Sequence, residues 1–305
     1  MSTTDTTPDG PVPGGTPPED PAAVPPPSTP KSIKTGRNLP AAIGVGVVLG
    51  GLALLTLFTV KATFLIYMGA ALGIGLHELS TALKTKGINV PLIPVALGGV
   101  AMLTTAYWAA GGATAAAFAL TVLAILIVRM FQGTDGYVKD VTAGVFATAY
   151  LALFGSCVSA MLAEHNGGKR VLIFIVLTIC SDIGGYFAGI TLTPFTGGHQ
   201  MAPVISPKKT WEGLAGSAFL CVVAGAVMLP TLLHGHGHWW QGVITGLAAL
   251  IAAVFGDLAE SMIKRDLGIK DMGTLLPGHG GILDRIDSLL ACAPVVWLLL
   301  ALFVR

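Results

Sequence analysis

Charge is what this sequence has least of. Only 11% of its 305 residues are Asp, Glu, Lys or Arg, against about 25% in a soluble globular domain, and that excludes an ordinary water-facing surface. Cysteine is also sparse. Cys157, Cys180, Cys221 and Cys292 each stand alone in apolar sequence, with no C-x-x-C pair. This spacing argues against a disulfide framework or a thiolate metal site and leaves four small residues packed in a core or facing lipid. A charged start followed by a short apolar core is missing too, so the first residues do not read as a secretory signal.

What is present in excess is apolar length, with 53% of residues hydrophobic. Nine runs, roughly 40–60, 61–83, 90–108, 112–130, 140–162, 170–193, 213–233, 239–263 and 287–304, approach or exceed the ~20 residues that cross a hydrocarbon core of about 30 Å. Only Lys61 separates the first two, and Pro91, Pro94, Gly111 and Gly112 mark other joints. The expected fold is an all-α, polytopic transmembrane helical bundle of about nine spans. Residues 1–38 are different: they hold 10 of the 19 prolines with many Thr, Ser and Gly. Such a stretch cannot bury enough apolar surface to offset its ordering entropy, and it is expected to be a disordered tail. The domain division is thus 1–38 and 39–305, with polar segments at about 180–213 and 256–288.

Lysine and arginine in short loops orient such a bundle. With the tail placed in the cytoplasm, Lys31, Lys34, Arg37, Lys84, Lys86, Arg129, Lys139, Lys208, Lys209, Lys264, Arg265, Lys270 and Arg285 fall on that side. That is 13 of 17 basic residues, leaving Lys61, Lys169, Arg170 and Arg305 opposite. The two most polar loops, 194–212 and 264–286, then share the cytoplasmic face. A run His234-Gly235-His236-Gly237-His238 falls on the other face and reads as a loop without a specific metal.

Acids inside spans are costly and usually functional. Glu78, beside His77, reads as a helix-end residue reaching the interface. Asp182 reads either as a site residue or as a buried carboxylate bonded to a neighbouring helix. Asp257 and Glu260 run directly into the densest polar segment. Asp257, Glu260 and Ser261 share one helix face, Lys264 continues it, and Asp284 and Asp287 share a face of the next helix. Carboxylate oxygens without His or Cys clusters suit Mg²⁺. Lys264, Arg265, Lys270 and Arg285 add positive charge. The turn Pro277-Gly278-His279-Gly280-Gly281 lets backbone N–H groups approach an anion, and His279 is open to a structural, phosphate-donor or proton-transfer role. These are parts for phosphoryl or nucleotidyl transfer. In the other loop, Ser206, Lys208, Lys209 and Thr210 offer hydroxyls and cations to phosphates. Thr210 is also a fair N-cap for the next span, with Glu212 in its first turn.

The stretch 261–287 resembles the phosphatidate cytidylyltransferase (CDP-diacylglycerol synthase) family through S-M-I-K-R, K-D, P-G-H-G-G and D-R-I-D in that family's spacing. I-S-P-K-K-T-W-E-G at 205–213 looks like its second signature, and Asp182 followed by Gly184, Gly185 and Tyr186 is similar to a third. The resemblance covers roughly 180–290. It implies transfer of CMP from CTP to phosphatidic acid, with loss of pyrophosphate, at a Mg²⁺ centre in the cytoplasmic half of the bundle. Asp257 and Asp284 are then the metal ligands, with Ser261 a neighbour and a monovalent cation such as K⁺ a possible companion. Lys208, Lys209, Lys264, Arg265 and Arg285 become phosphate contacts, and the protein a homodimer in a cell membrane, with no nucleic acid partner. Where many relatives carry a G-R-x-x-G-K type run after the Tyr186 position, this chain has Ile190 and Gly197-Gly198-His199-Gln200.

Two other classes remain. A transporter predicts acids near the midplane and an internal repeat, whereas no convincing repeat is seen and the acids cluster toward one face. A different lipid phosphotransferase of the CDP-alcohol type expects D-G-x-x-A-R with further spaced aspartates, which this sequence lacks.

Overall fold

The computed structural model describes residues 39–109, 112–233, 237–275 and 280–304, with side chains from residue 44 onward. The expectations for the tail 1–38, for His234 to His236 and for Pro277, Gly278 and His279 fall outside the described residues.

Helices dominate. In chain order they are α1 (Leu39–Thr59), α2 (Lys61–Lys84), α3 (Leu92–Trp108), α4 (Gly112–Met130), α5 (Tyr137–Ala147), α6 (Phe154–Ala163), α7 (Gly167–Thr196), α8 (Trp211–Leu232), α9 (Trp239–Leu267) and α10 (Leu283–Phe303). A π-helical stretch, Thr148–Leu153, fuses α5 to α6 into one rod. Two short strands, β1 (Gln200–Ala202) and β2 (Ser206–Thr210), form an antiparallel hairpin between α7 and α8.

Seven of these segments are long and apolar enough to cross a membrane: α2, α4, the rod Tyr137–Ala163, and α7 to α10. Two of the nine expected spans correspond to shorter apolar stretches, Gly44–Thr59 and Leu92–Trp108. Outward faces carry residues a water-soluble fold would hide: Ile66, Ile93, Leu120, Phe219 and Phe255 are each more than 60% exposed. In lipid such faces cost nothing, so helix association must come from close packing and interhelical hydrogen bonds. The chain is an integral membrane protein.

The packing supplies both. At the α8–α9 crossing, a Cβ on Gly225 or Gly242 would collide with the other's backbone, and one on Gly246 would strike the carbonyl of Cys221. Ser217 Oγ donates to the Ser181 carbonyl across α7–α8 at 2.5 Å. Cys221 and Cys292 donate Sγ–H to the carbonyls of Leu177 and Ala249. All four cysteines are free and behave as the small packing residues expected.

A small apolar cluster, Met102 with Ala117 and Ala152, and two large ones fill the bundle. One joins Phe64, Met161, Phe174, Leu177, Leu229 and Val296. The other, around Leu72, Leu79, Ile125, Leu267, Met272 and Leu283, lies under the polar end. A buried ion pair, Arg129 Nε to Asp140 Oδ2 at 2.7 Å, closes the α4–α5 turn, and Asp140 Oδ1 also accepts from the Asn89 amide. Two further ties are Lys61 Nζ to the Glu164 carbonyl and Arg170 Nη2 to the Val304 carbonyl. Helices α7 and α9, with 30 and 29 residues, are about 45 Å long at 1.5 Å per residue. They outrun a hydrocarbon core of about 30 Å, so their C-terminal turns carry polar groups out to the interface.

Candidate active site

The hairpin is positioned by its flanks. Gly197 and Gly198, with φ of 83° and 70°, end α7 in left-handed turns, a backbone region suited to glycine. At the other end Thr210 Oγ1 accepts from the Gly213 amide at 3.1 Å and caps α8, as its sequence context predicted. Glu212 does more than complement the helix dipole. It binds Thr196 Oγ1 and His199 Nδ1, each at 2.8 Å, and so ties the end of α7 to the start of α8.

Alternation along β2 sends its two lysines apart. Lys208 is exposed, while Lys209 turns toward α9 and pairs with Asp257, Nζ to Oδ2, at 2.6 Å. Arg265 Nε reaches the Ile205 carbonyl at 3.4 Å, a long contact between the end of α9 and the hairpin. Between hairpin, α7, α8 and α9 opens a polar cavity of about 290 Å³ whose walls include Asp182, Tyr186, Ser206, Lys208, Lys209, Thr210 and Asp257. Asp182 is exposed into this cavity rather than buried, and Lys209 and Arg285 are cations within its electrostatic range.

A second polar group joins α9 to α10 below the cavity. Asp257 Oδ1 accepts from Ser261 Oγ at 3.3 Å. Lys264 Nζ lies 2.8 Å from Asp284 Oδ1 and 3.5 Å from Glu260 Oε1. Asp284 Oδ2 accepts from the amides of Met272 at 2.9 Å and Gly281 at 2.8 Å. Of the glycine turn, the described residue Gly281 gives its amide to Asp284. Gly280, with φ of 83°, lets the turn close: a Cβ there would sit 3.0 Å from Asp284 Oδ2. Glu260 is fully buried, and its carboxyl meets that of Asp287. Three carboxylates, Asp257, Glu260 and Asp284, are thus paired with two lysines, Lys209 and Lys264, and the fourth, Asp287, adjoins Glu260.

Arg285, in electrostatic range of Asp182, also borders a second cavity. It lines an apolar cleft of about 270 Å³, formed among α1, α2, α6, α7 and α10, with Phe64, Leu72, Phe174, Ile179 and Leu289 among its other walls. Ile179 and Asp182 are neighbours on α7, so the apolar cleft and the polar cavity meet along that helix, near Arg285.

Of the residues singled out in sequence, Asp182, Tyr186, Ser206, Lys208, Lys209, Thr210 and Asp257 share the cavity, and Ser261, Lys264, Gly280, Gly281, Asp284 and Asp287 share the α9–α10 group. Arg265 serves the hairpin backbone. Lys270 is exposed in the connection after α9. His279 is outside the described residues. Sequence reasoning missed Tyr150, whose buried hydroxyl has no hydrogen-bond partner and lies in electrostatic range of Glu260 and Asp287. It also misread Glu78, which is buried against the start of α10 rather than reaching the interface. Neither position carries a local signal, because each meets its partners through distant helices.

A bundle of apolar helices with a charged cavity at one end, and an apolar cleft beside it, defines a membrane protein built to hold a polar group against an apolar one. The chain belongs to the Cytidylyltransferase family, whose sequence profile matches residues 40–303. It is similar to proteins named phosphatidate cytidylyltransferase: 36% identical over 293 residues to one from Mycobacterium leprae (strain TN), covering 90% of this chain and 91% of that one. A counterpart from Mycobacterium bovis (strain ATCC BAA-935 / AF2122/97) is 37% identical over 305 residues, covering 94% and 97%. One from Brucella suis biovar 1 (strain 1330) is 38% identical over 181 residues, covering 59% and 63%.

Proposed function

We propose that this protein is a phosphatidate cytidylyltransferase, transferring CMP from CTP to phosphatidic acid to give CDP-diacylglycerol and pyrophosphate. The observation that carries the reading is the junction of two unlike cavities. The polar one offers Lys208, Lys209, Ser206 and Thr210 to a nucleotide triphosphate, and the apolar one offers hydrocarbon walls ending at Arg285. Phosphatidate leaves a bilayer only at great cost and CTP does not enter one, so a reaction joining them belongs at such a junction.

In the reaction, an oxygen of the phosphatidate phosphate forms a bond to the α-phosphorus of CTP as the bond from that phosphorus to the β-phosphate oxygen breaks. The attacking oxygen is already ionised at neutral pH, so no general base is assigned. The residues of this chain then hold two anions together. Lys209, fixed by Asp257, and Lys208 neutralise triphosphate oxygens. Arg285 meets the lipid phosphate at the mouth of the cleft. Lys264 keeps Asp284 and Glu260 in place, and the hydrogen-bonded Asp284 fixes the start of α10. Preorganised charge of this kind stabilises the leaving pyrophosphate without reorganisation during reaction.

The donor set fits a divalent ion. The four carboxylates outnumber the lysines beside them: Lys209 pairs with Asp257, Lys264 with Glu260 and Asp284, and Asp287 adjoins Glu260. Among the described residues no three His, Cys, Asp or Glu side chains form a complete metal site. Such an ion would therefore be held by Asp257 and Asp284 together with substrate phosphate oxygens, a mode usual for Mg²⁺. When bound it would supply Lewis-acid stabilisation of phosphoryl charge, and a monovalent cation such as K⁺ could share the excess negative charge.

The distribution of Lys and Arg supports a cytoplasmic N-terminus and a site facing the cytoplasm of the cell membrane. The family resemblance supports a homodimer and a catalytic domain spanning 39–305. The test is purified protein in detergent with phosphatidate, labelled CTP and Mg²⁺. The expected products are a liponucleotide and pyrophosphate in equal amounts, and their absence with active lipid and metal present would refute the assignment.

A further inference from the structure

Glu78 lies in α2, about 200 residues before the charged group of α9 and α10. Its carboxylate is nevertheless buried, and it accepts from the Ile282 amide at 3.0 Å and the Leu283 amide at 2.9 Å. These are the first amides of α10, donors that no residue within a helix can satisfy. The carboxylate also sits at the positive end of the α10 dipole. Glu78 is thus an N-terminal cap delivered from another helix.

The same short segment is gripped from its other side by Asp284. Gly281 donates its amide to Asp284 Oδ2, and Met272 donates to the same oxygen. Gly273 and Gly281 leave no room for a side chain, since a Cβ on either would overlap the Glu78 carboxylate. One carboxylate from α2 and one from α10 therefore clasp residues 272–273 and 280–283 between them. Leu79, the next residue of α2, is fully buried in the cluster holding Met272 and Leu283, so the clasp rests on a packed base.

We propose that Glu78 is a positioning residue for the transfer reaction: it fixes the start of α10 and thereby aims Asp284 and Arg285, without touching substrate. This rests on the functional reading above. Removing the cap leaves two amides unsatisfied in a poorly hydrated place, and the least costly relief is a shift of residues 280–283, which carries Asp284 with it. Aspartate at position 78 would fall short by one methylene, about 1.5 Å. Glutamine keeps the length and one acceptor oxygen, but turns an NH₂ toward the second amide.

The test uses the full chain in nanodiscs with Glu78→Ala, Glu78→Asp and Glu78→Gln, and with Leu229→Ala as a packing control. Two readouts are taken: steady-state kinetics against CTP and phosphatidate, and hydrogen exchange of backbone amides. Glu78→Ala should lower kcat about a hundredfold, the scale of a 1 Å misplacement near a reacting centre, with both KM values little changed. Exchange should quicken at 272–273 and 280–283 and stay as in the parent protein along α7 and α8. Glu78→Gln should recover part of both effects, and Glu78→Asp little. Leu229 is fully buried in the other apolar cluster, so Leu229→Ala should lower thermal stability while leaving kcat per folded molecule near normal.

Unchanged kcat in Glu78→Ala, local loosening without loss of rate, or quickened exchange spread evenly through all helices would each overturn the proposal. Should Glu78→Ala fail to fold, Glu78→Gln carries the same comparison. If the parent protein makes no liponucleotide, the functional reading fails, whereas the exchange experiment still decides whether Glu78 holds this segment.

Discussion

Lys209 and Asp257 form an ion pair of 2.6 Å between a two-stranded hairpin and a membrane helix. Lys209 also reaches the Val254 carbonyl at 3.3 Å, so its ammonium is held by α9 before any substrate arrives. The pair is partly open, with side-chain exposures of 21% and 36%, and both partners line the polar cavity. A cation fixed in this way offers charge to a phosphate with little loss of side-chain freedom.

The first prediction tests that pair. Lys209→Met and Asp257→Asn should each lower kcat/KM for CTP by about a hundredfold or more, as loss of one preorganised electrostatic group does. Because the residues act as a unit, the double variant should lose far less than the product of the two single losses. Additive losses in that cycle would show that the pair does not operate as one element.

Lys264 is the next. It stands between Glu260 and Asp284, whose side chains are 0% and 4% exposed. Lys264→Met leaves two buried carboxylates without their cation, which should destabilise the fold by about 3 kcal/mol or more. Thermal unfolding in detergent measures it. Asp284→Asn, by contrast, should leave the protein folded and inserted and abolish turnover at ordinary Mg²⁺. Full activity in that variant would remove Asp284 from the catalytic group.

Gly280 offers a backbone test. Alanine at a φ of 83° costs roughly 1–2 kcal/mol, and its Cβ would press on Asp284 Oδ2 at 3.0 Å. Gly280→Ala should therefore lower kcat with only a small change in melting temperature, as read by turnover and thermal unfolding on the same preparation.

The apolar cleft separates the two substrates. Ala71→Phe or Ala293→Phe, both at its walls, should raise the KM for phosphatidate and leave that for CTP near the parent value. Arg285→Met should act in the same direction. A matching rise in the KM for CTP would mean that the cleft does not hold the lipid.

Much of this protein is decided locally. Apolar runs of about 20 residues must become helices in lipid, because every backbone group there has to be satisfied within its own segment. The apolar helices follow from sequence alone, although two of the nine expected spans are shorter stretches, Gly44–Thr59 and Leu92–Trp108, and so does the Thr210 cap of α8. The charged residues of 205–213 and 256–287 also declare themselves, since polar groups beside membrane spans are too costly to be incidental. The π-helical turn at 148–153 and the fusion of α5 with α6 left no such mark, because the widened turn answers to packing against neighbouring helices.

What only tertiary structure decided is which charge meets which. Sequence places Asp284 on a helix face, but its oxygens are claimed by Lys264 and by the amides of Met272 and Gly281. Sequence places Glu78 near a helix end, but its partners lie 204 and 205 residues away. Composition and periodicity record how each segment meets lipid and water. They carry no record of the helix crossings, set by glycines fitting against backbone, that bring far-separated carboxylates, lysines and amides to one end of the bundle.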